Sequence, residues 1–167
     1  METLFTAEEI QAAVRRTAAA VEAHFGTQEE VCVLALLNGA LWFAADLLRA
    51  LPPNFILETA RVSSYGDAQQ SSGTLTWLTA APQVAGKRVL VADDVLDTGI
   101  TLQQVSAALL AMGAAEVRTA VAVEKAGCRR VPAEADFTAL HAGNDFLIGY
   151  GMDAAQRYRN LPYIARM

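Results

Sequence analysis

Apolar residues follow two rhythms along this chain. Ile10, Val14, Ala18, Val21 and Phe25 recur three and four residues apart, the spacing of one helix face. Thr6 precedes the stripe with Glu9 three residues on, a capping box, and Phe5 and Ile10 flank it as a hydrophobic staple. Gly26 supplies a stop. VCVLALL (31–37) has no such period; an unbroken apolar run of this length reads as a strand buried on both faces. Gly39 to Leu51 reads as a helix ended by Pro52-Pro53. FILETARV (55–62) and TLTWLT (74–79) read as strands that pair as an antiparallel arm around the polar loop SSYGDAQQSSG (63–73). RVLVADD (88–94) is the clearest strand. Leu102, Val105, Leu109 and Met112 form a helical stripe ending at Gly113. EVRTAVAVE (116–124) is a further strand, and FTALHA (137–142) and FLIGYGM (146–152) are two short ones. Strands alternating with helices predict an α/β domain with a mainly parallel sheet.

Composition narrows the function classes. The 167 residues correspond to one domain, and 53% hydrophobic with 19% charged residues excludes a disordered chain. A net charge of −5 with no basic run argues against nucleic-acid binding through phosphates. Cys32 and Cys128 do not make a disulfide framework, and His24 and His141 lie too far apart to suggest a zinc site. The start METLFTAEEI lacks the basic and apolar regions of a signal peptide. The stretch 31–48 approaches the length of a membrane span, but Asn38-Gly39 interrupts it and Asp46 stands near its end. The expectation is a soluble, cytoplasmic protein without a membrane partner.

The candidate chemistry lies in VLVADDVLDTGIT (89–101). An apolar strand runs into Asp93 and Asp94, and a short turn with Asp97, Thr98, Gly99 and Thr101 leads into a helix. Ligands of parallel α/β sheets bind at the carboxyl ends of strands, and N–H groups at a helix start beside a glycine cradle an anion such as phosphate. Paired carboxylates suit sugar hydroxyls or Mg²⁺ instead. The residue types thus point to a phosphorylated sugar with a metal. The plain alternative is an acidic strand-to-helix loop with an ordinary cap. No Walker A loop is present. In a receiver domain the acidic pair follows the first strand, whereas here it lies past mid-chain.

VLVADDVLDTGIT closely resembles the phosphoribosyl pyrophosphate (PRPP) motif of type I phosphoribosyltransferases. The ordered set TLFTAEEI, LLNGALWF, SSYGDAQQSSG, the acidic motif, Lys125, FLIGYGMD and Arg159 resembles the hypoxanthine-guanine enzymes over nearly the whole chain. The resemblance implies a central sheet, mainly parallel and flanked by helices, with a small hood from the terminal segments and a mobile lid loop. It implies that Asp93 and Asp94 meet the ribose hydroxyls and Mg²⁺, with Asp93 standing where Glu is more usual. Asp97 takes the place of the general base at purine N7, and Thr98, Gly99, Ile100 and Thr101 that of the 5′-phosphate turn. Leu37, Asn38 and Gly39 match the diphosphate loop, with a cis peptide between Leu37 and Asn38; many relatives carry Lys or Arg at the position of Asn38. Arg159 matches a diphosphate-binding arginine.

Lys125 matches the donor to purine O6, Phe146 the aromatic that stacks on the base, and Leu147 and Asp153 the positions at the base edge, with Asp153 also a Mg²⁺-linked carboxylate. Ser64, Tyr65 and Gly66 fall in the lid. Read without the family, Asn38-Gly39 is a turn, Lys125 a solvated strand-end lysine, Phe146 a core residue and Arg159 a surface charge. Gly143-Asn144-Asp145 stands where relatives often have Pro-Asp-Lys, which leaves the preference among hypoxanthine, guanine and xanthine open. The implied activity is Mg²⁺-dependent transfer of a phosphoribosyl group from PRPP to a 6-oxopurine by a homodimer or homotetramer. A xanthine-guanine enzyme and a PRPP-sensing regulator are the alternatives; such regulators usually append a DNA-binding domain, for which this chain has neither room nor basic surface.

Overall fold

The structure, a computed structural model, describes residues 1–64 and 75–167. In chain order the elements are β1 (Glu2–Phe5), α1 (Ala7–Phe25), β2 (Val31–Leu36), α2 (Leu41–Arg49), β3 (Phe55–Ala60), β4 (Val62–Ser63), β5 (Thr76–Trp77), β6 (Arg88–Leu96), α3 (Ile100–Ala111), β7 (Glu116–Lys125), β8 (Phe137–Ala142), β9 (Leu147–Ile148) and β10 (Ile164–Arg166). Thr6 caps α1 as expected: its hydroxyl accepts from the Glu9 N–H, and its own N–H donates to the Glu9 carboxylate at 2.8 Å. Phe5 packs on the cluster that contains Ile10.

Five parallel strands form the central sheet in the order β3-β2-β6-β7-β8. Alternate residues of a strand point to opposite faces, which explains the continuous apolar runs. Val31, Val33 and Ala35 of β2 face one core, and Cys32, Leu34 and Leu36 face the other. The first core is covered by the whole predicted stripe of α1 together with Phe43, Ala44 and Leu47 of α2. The second is covered by Leu102, Val105 and Leu109 of α3, with Met112 packed at its edge. Burial of each of the Val, Leu, Ile and Phe side chains contributes about 1.5–3 kcal/mol. No described helix is long and apolar enough to cross a membrane.

Four differences from the sequence reading bear on the site. First, β6 runs on to Leu96, past the expected end at Asp94, with Asp93 inside the ladder opposite Val121. The neighbouring β7 continues to Lys125, and its hydrogen bonds override the poor strand propensity of aspartate. Second, the strand expected over 55–62 breaks at Arg61, where the chain leaves the sheet to pair β4 with β5 antiparallel. This is the predicted arm, shorter than expected. Third, FLIGYGM keeps only Leu147–Ile148 as strand, because Gly149, Tyr150 and Gly151 turn the chain with positive φ. Fourth, α2 begins at Leu41 instead of Gly39, leaving 37–40 as a turn.

The hood is present as the antiparallel sheet β1-β10-β9. Its strands have too few residues to show a period, and β1 and β10 pair from opposite ends of the chain. Arg166 lies opposite Glu2 in the register and pairs with its carboxylate at 2.7 Å.

At the amino-terminal edge of the central sheet, remote from the strand ends that carry the chemistry, Glu116 accepts hydrogen bonds from His24 (2.5 Å), Arg88 (2.9 Å) and Arg118 (3.0 Å). Burial by itself raises the Glu116 carboxyl, but these three donors outweigh it and hold its pKa at about 2, below the usual 4.5. A carboxyl depressed by folding contributes stability that is complete above its unfolded pKa and is lost as pH falls through the folded one. The Tm of the wild type is therefore expected to fall more steeply than that of Glu116→Gln as pH drops from 4.5 to 2. Parallel melting curves across that window would exclude the contribution.

Candidate active site

Because all five strands of the central sheet are parallel, their carboxyl ends deliver side chains to one edge. A cavity of about 330 Å³ lies there, lined by Gly39, both aspartates of the pair, the Asp97–Gly99 turn and Arg159. Asp93 accepts from the N–H of Asp94 at 3.0 Å, and Asp94 from that of Val95 at 2.8 Å. Burial, and then the neighbouring Asp94, push the Asp93 carboxyl well above its ordinary range. Burial also raises Asp94, against the pull of hydrogen bonds and of nearby Arg159.

Gly39 is fitted to this pair. A Cβ there would overlap the Asp94 carboxylate, and a Cβ at Gly151 would overlap the Gly39 carbonyl oxygen. Diphosphate loop, acidic strand end and hood turn thus meet where side chains are absent. The peptide between Leu37 and Asn38 is cis, as the resemblance implies. Asn38 itself is exposed, and Leu37 and Gly39 line the cavity in its stead.

The turn after β6 ends at Gly99, whose φ of 84° is left-handed, the conformation glycine adopts at little cost. No side chain caps α3 from this position, although the Ile100 N–H reaches the Thr98 hydroxyl at 3.3 Å. Ile100 does not line the cavity, whereas Thr98, Gly99 and Thr101 do. The Ser64 and Thr101 hydroxyls share a 2.7 Å hydrogen bond, which joins the start of the expected lid to the phosphate turn. Tyr65, Gly66 and the rest of that loop through 73 lie outside the described residues.

A second cavity of about 170 Å³ adjoins the first and shares Asp94 and Asp97 with it. Lys125, Phe146, Leu147 and Asp153 line it. The Lys125 side chain is 10% exposed and its ammonium donates to Asp97 at 3.3 Å. The expected base and the expected purine donor therefore form one pair. Phe146 leaves 55% of its surface open, so it is no core residue and its ring is free to stack.

Asp153 pairs with Arg159 at 2.8 Å and accepts the Gln156 N–H at 2.7 Å, while Arg159 also donates to the Gly151 carbonyl at 2.6 Å. Among the described residues no three His, Cys, Asp or Glu side chains gather closely enough to hold a metal. Asp93, Asp94 and Asp153 thus do not form one ligand cluster, because Asp153 is turned to Arg159. The sequence reading missed Arg129, which donates to the Leu96 and Asp97 carbonyls at the turn after β6; a lone arginine in the polar stretch GCRRVP carries no local signal.

Comparison with known proteins places the chain in a family. Residues 1–155 match the family model described as the phosphoribosyl transferase domain. The hypoxanthine-guanine phosphoribosyltransferase of Aquifex aeolicus is 36% identical over 165 residues, which cover 98% of this chain and 93% of that protein. That of Bacillus subtilis is 32% identical over 162 residues, 96% of this chain and 89% of the relative. A crystal structure of a Bacillus anthracis hypoxanthine-guanine phosphoribosyltransferase superposes with a TM-score of 0.92 at 31% identity, covering 100% of this chain and 98% of the other. The chain belongs to the hypoxanthine-guanine phosphoribosyltransferase family.

Proposed function

We propose that this protein transfers the 5-phosphoribosyl group of PRPP to N9 of hypoxanthine or guanine, releasing diphosphate and forming a nucleoside monophosphate in purine salvage. The observation that carries the reading is the 3.3 Å pair of Asp97 and Lys125 at the junction of the two cavities. N7 and the 6-oxo group lie side by side on one edge of the purine. A carboxylate and an ammonium held next to each other present an acceptor to N7–H and a donor to O6. We further propose that all 167 residues act as one cytoplasmic domain. Assembly as a dimer or tetramer is supported by exposed Ile56 and Leu57 on edge strand β3 and by exposed Leu41 and Leu78.

The residues suit Mg²⁺, which takes one or two carboxylates and completes its shell with water and substrate phosphate. Asp93 and Asp94 present two abutting carboxylates whose burial favours a compensating cation, and Asp153, paired with Arg159, supplies a further carboxylate. Bound there, Mg²⁺ would neutralise developing charge on diphosphate. The chain's own groups do the remaining work. The Asp97–Thr101 turn holds the 5′-phosphate with backbone N–H groups and hydroxyls. The backbone at Gly39 and the Arg159 guanidinium hold diphosphate. Phe146 stacks on the base, and Lys125 donates to O6. Asp97 accepts the N7 proton as N9 attacks the anomeric carbon and the bond to diphosphate breaks.

Asp94→Asn is expected to raise the KM for PRPP and to blunt its response to Mg²⁺, which steady-state titration of both reads; unchanged affinity and rate would remove the acidic pair from the site. Asp97→Ala should lower kcat by about 10²–10⁴-fold with a smaller change in KM, because a proton acceptor acts in the transition state. A single-turnover rate within about threefold of wild type would show that Asp97 is not the base. Adenine should be rejected by about 10⁴ in kcat/KM relative to hypoxanthine, since its 6-amino donor faces the Lys125 ammonium. An absorbance assay with PRPP, Mg²⁺ and each purine measures this ratio, and comparable values would overturn the 6-oxopurine reading while leaving PRPP use standing.

A further inference from the structure

The carbonyl groups of the phosphate turn are gripped from the side opposite the cavity. Arg129 donates through Nη1 to the carbonyls of Leu96 (3.2 Å) and Asp97 (2.7 Å) and through Nε to that of Ala133 (2.8 Å). Its Nη2 donates to Glu124 at 2.5 Å, and Glu124 is itself held by the Thr138 hydroxyl at 3.0 Å. The next carbonyl, that of Thr98, accepts from the backbone N–H of Arg130 at 2.9 Å. A Cβ at Gly99 would meet Ala133 and Arg129 at 2.8 and 3.2 Å, so the segment packs directly on the turn. Neither Arg129 nor Arg130 lines the first cavity.

We infer that Arg129 is a positioning residue, which orients the phosphate turn and the main chain of Asp97 without touching substrate. In a trans peptide the N–H points opposite to the carbonyl. Fixing the Asp97 and Thr98 carbonyls behind the turn therefore aims the N–H groups of Thr98 and Gly99 at the cavity side. It also keeps two negative carbonyl ends away from a bound anion. Asp97 is secured twice, by Arg129 at its carbonyl and by Lys125 at its carboxylate. The task needs a planar fork with several donors in fixed directions, which arginine has and lysine lacks. The inference rests on the transferase reading for the identity of the anion as a sugar phosphate.

The test is calorimetric binding of ribose 5-phosphate to the full chain, beside PRPP kinetics. Arg129→Ala should weaken ribose 5-phosphate about tenfold or more, the scale of losing hydrogen bonds to a charged group. It should raise the KM for PRPP far more than that for hypoxanthine. Arg129→Lys should fall between the two, and free guanidinium should restore part of the loss in Arg129→Ala where ammonium does not. Arg118→Ala, which breaks ion pairs at the far edge of the sheet, should lower Tm and leave ribose 5-phosphate affinity unchanged. If Arg129→Ala does not fold, Arg129→Lys carries the comparison. Affinity equal to wild type in the Arg129 variants, an equal loss in Arg118→Ala, or no ribose 5-phosphate binding by wild type would overturn the inference. Wild type that binds ribose 5-phosphate as predicted but transfers nothing to any purine would sink the transferase reading alone.

Discussion

Two aspartates held side by side at the end of a buried strand set the terms for the rest of this structure. Burial disfavours the charged forms of both, and the neighbouring Asp94 carboxylate further disfavours that of Asp93. The arrangement persists because the ladder to β7 fixes their backbone and the next N–H groups partly satisfy their oxygens. Every segment that approaches is adapted to them. Gly39 leaves room for the Asp94 carboxylate, Gly151 leaves room for Gly39, and Arg159 brings a positive charge within reach while tied to Asp153. A methyl group added at either glycine would push these layers apart.

In the proposed reaction the acidic strand end is also where two substrates meet. One side of β6 opens on the phosphate turn and the diphosphate loop; the other opens on Lys125 and the exposed ring of Phe146. Asp97 belongs to both cavities and is the covalent continuation of the acidic strand. Its carboxylate touches the donor that would select a 6-oxo group. In the proposed reaction, ribose chemistry and base recognition are coupled through this one residue, whose carbonyl accepts from Arg129. The hood contributes through closeness of packing: the Tyr150 hydroxyl donates to Asp46 of α2 at 2.8 Å, which anchors the turn that carries Gly151 against the diphosphate loop.

Much of this was legible along the chain, for identifiable reasons. The stripe of α1, its Thr6–Glu9 cap and the apolar runs of β2, β6 and β7 record burial directly. The spacing of Asp93, Asp94, Asp97, Thr98, Gly99 and Thr101 is local chemistry, complete within one strand and one turn. By contrast, β1, β9 and β10 have too few residues for a period, and β1 takes its hydrogen bonds from β10 at the opposite terminus. The break at Arg61 and the extension of β6 to Leu96 depend on which strand lies alongside.

The sequence by itself determined the α/β alternation, the strands buried on both faces and the acidic strand-to-helix turn, because periodicity and strand-end residue types are properties of neighbours in the chain. Only the tertiary structure decided that Lys125 pairs with Asp97 across 28 positions, and that Asp153 faces Arg159. It alone decided that Arg129 reaches back 32 residues to the Asp97 carbonyl. A charged side chain declares that it needs a partner, but which partner it finds is set by how the sheet brings distant segments together.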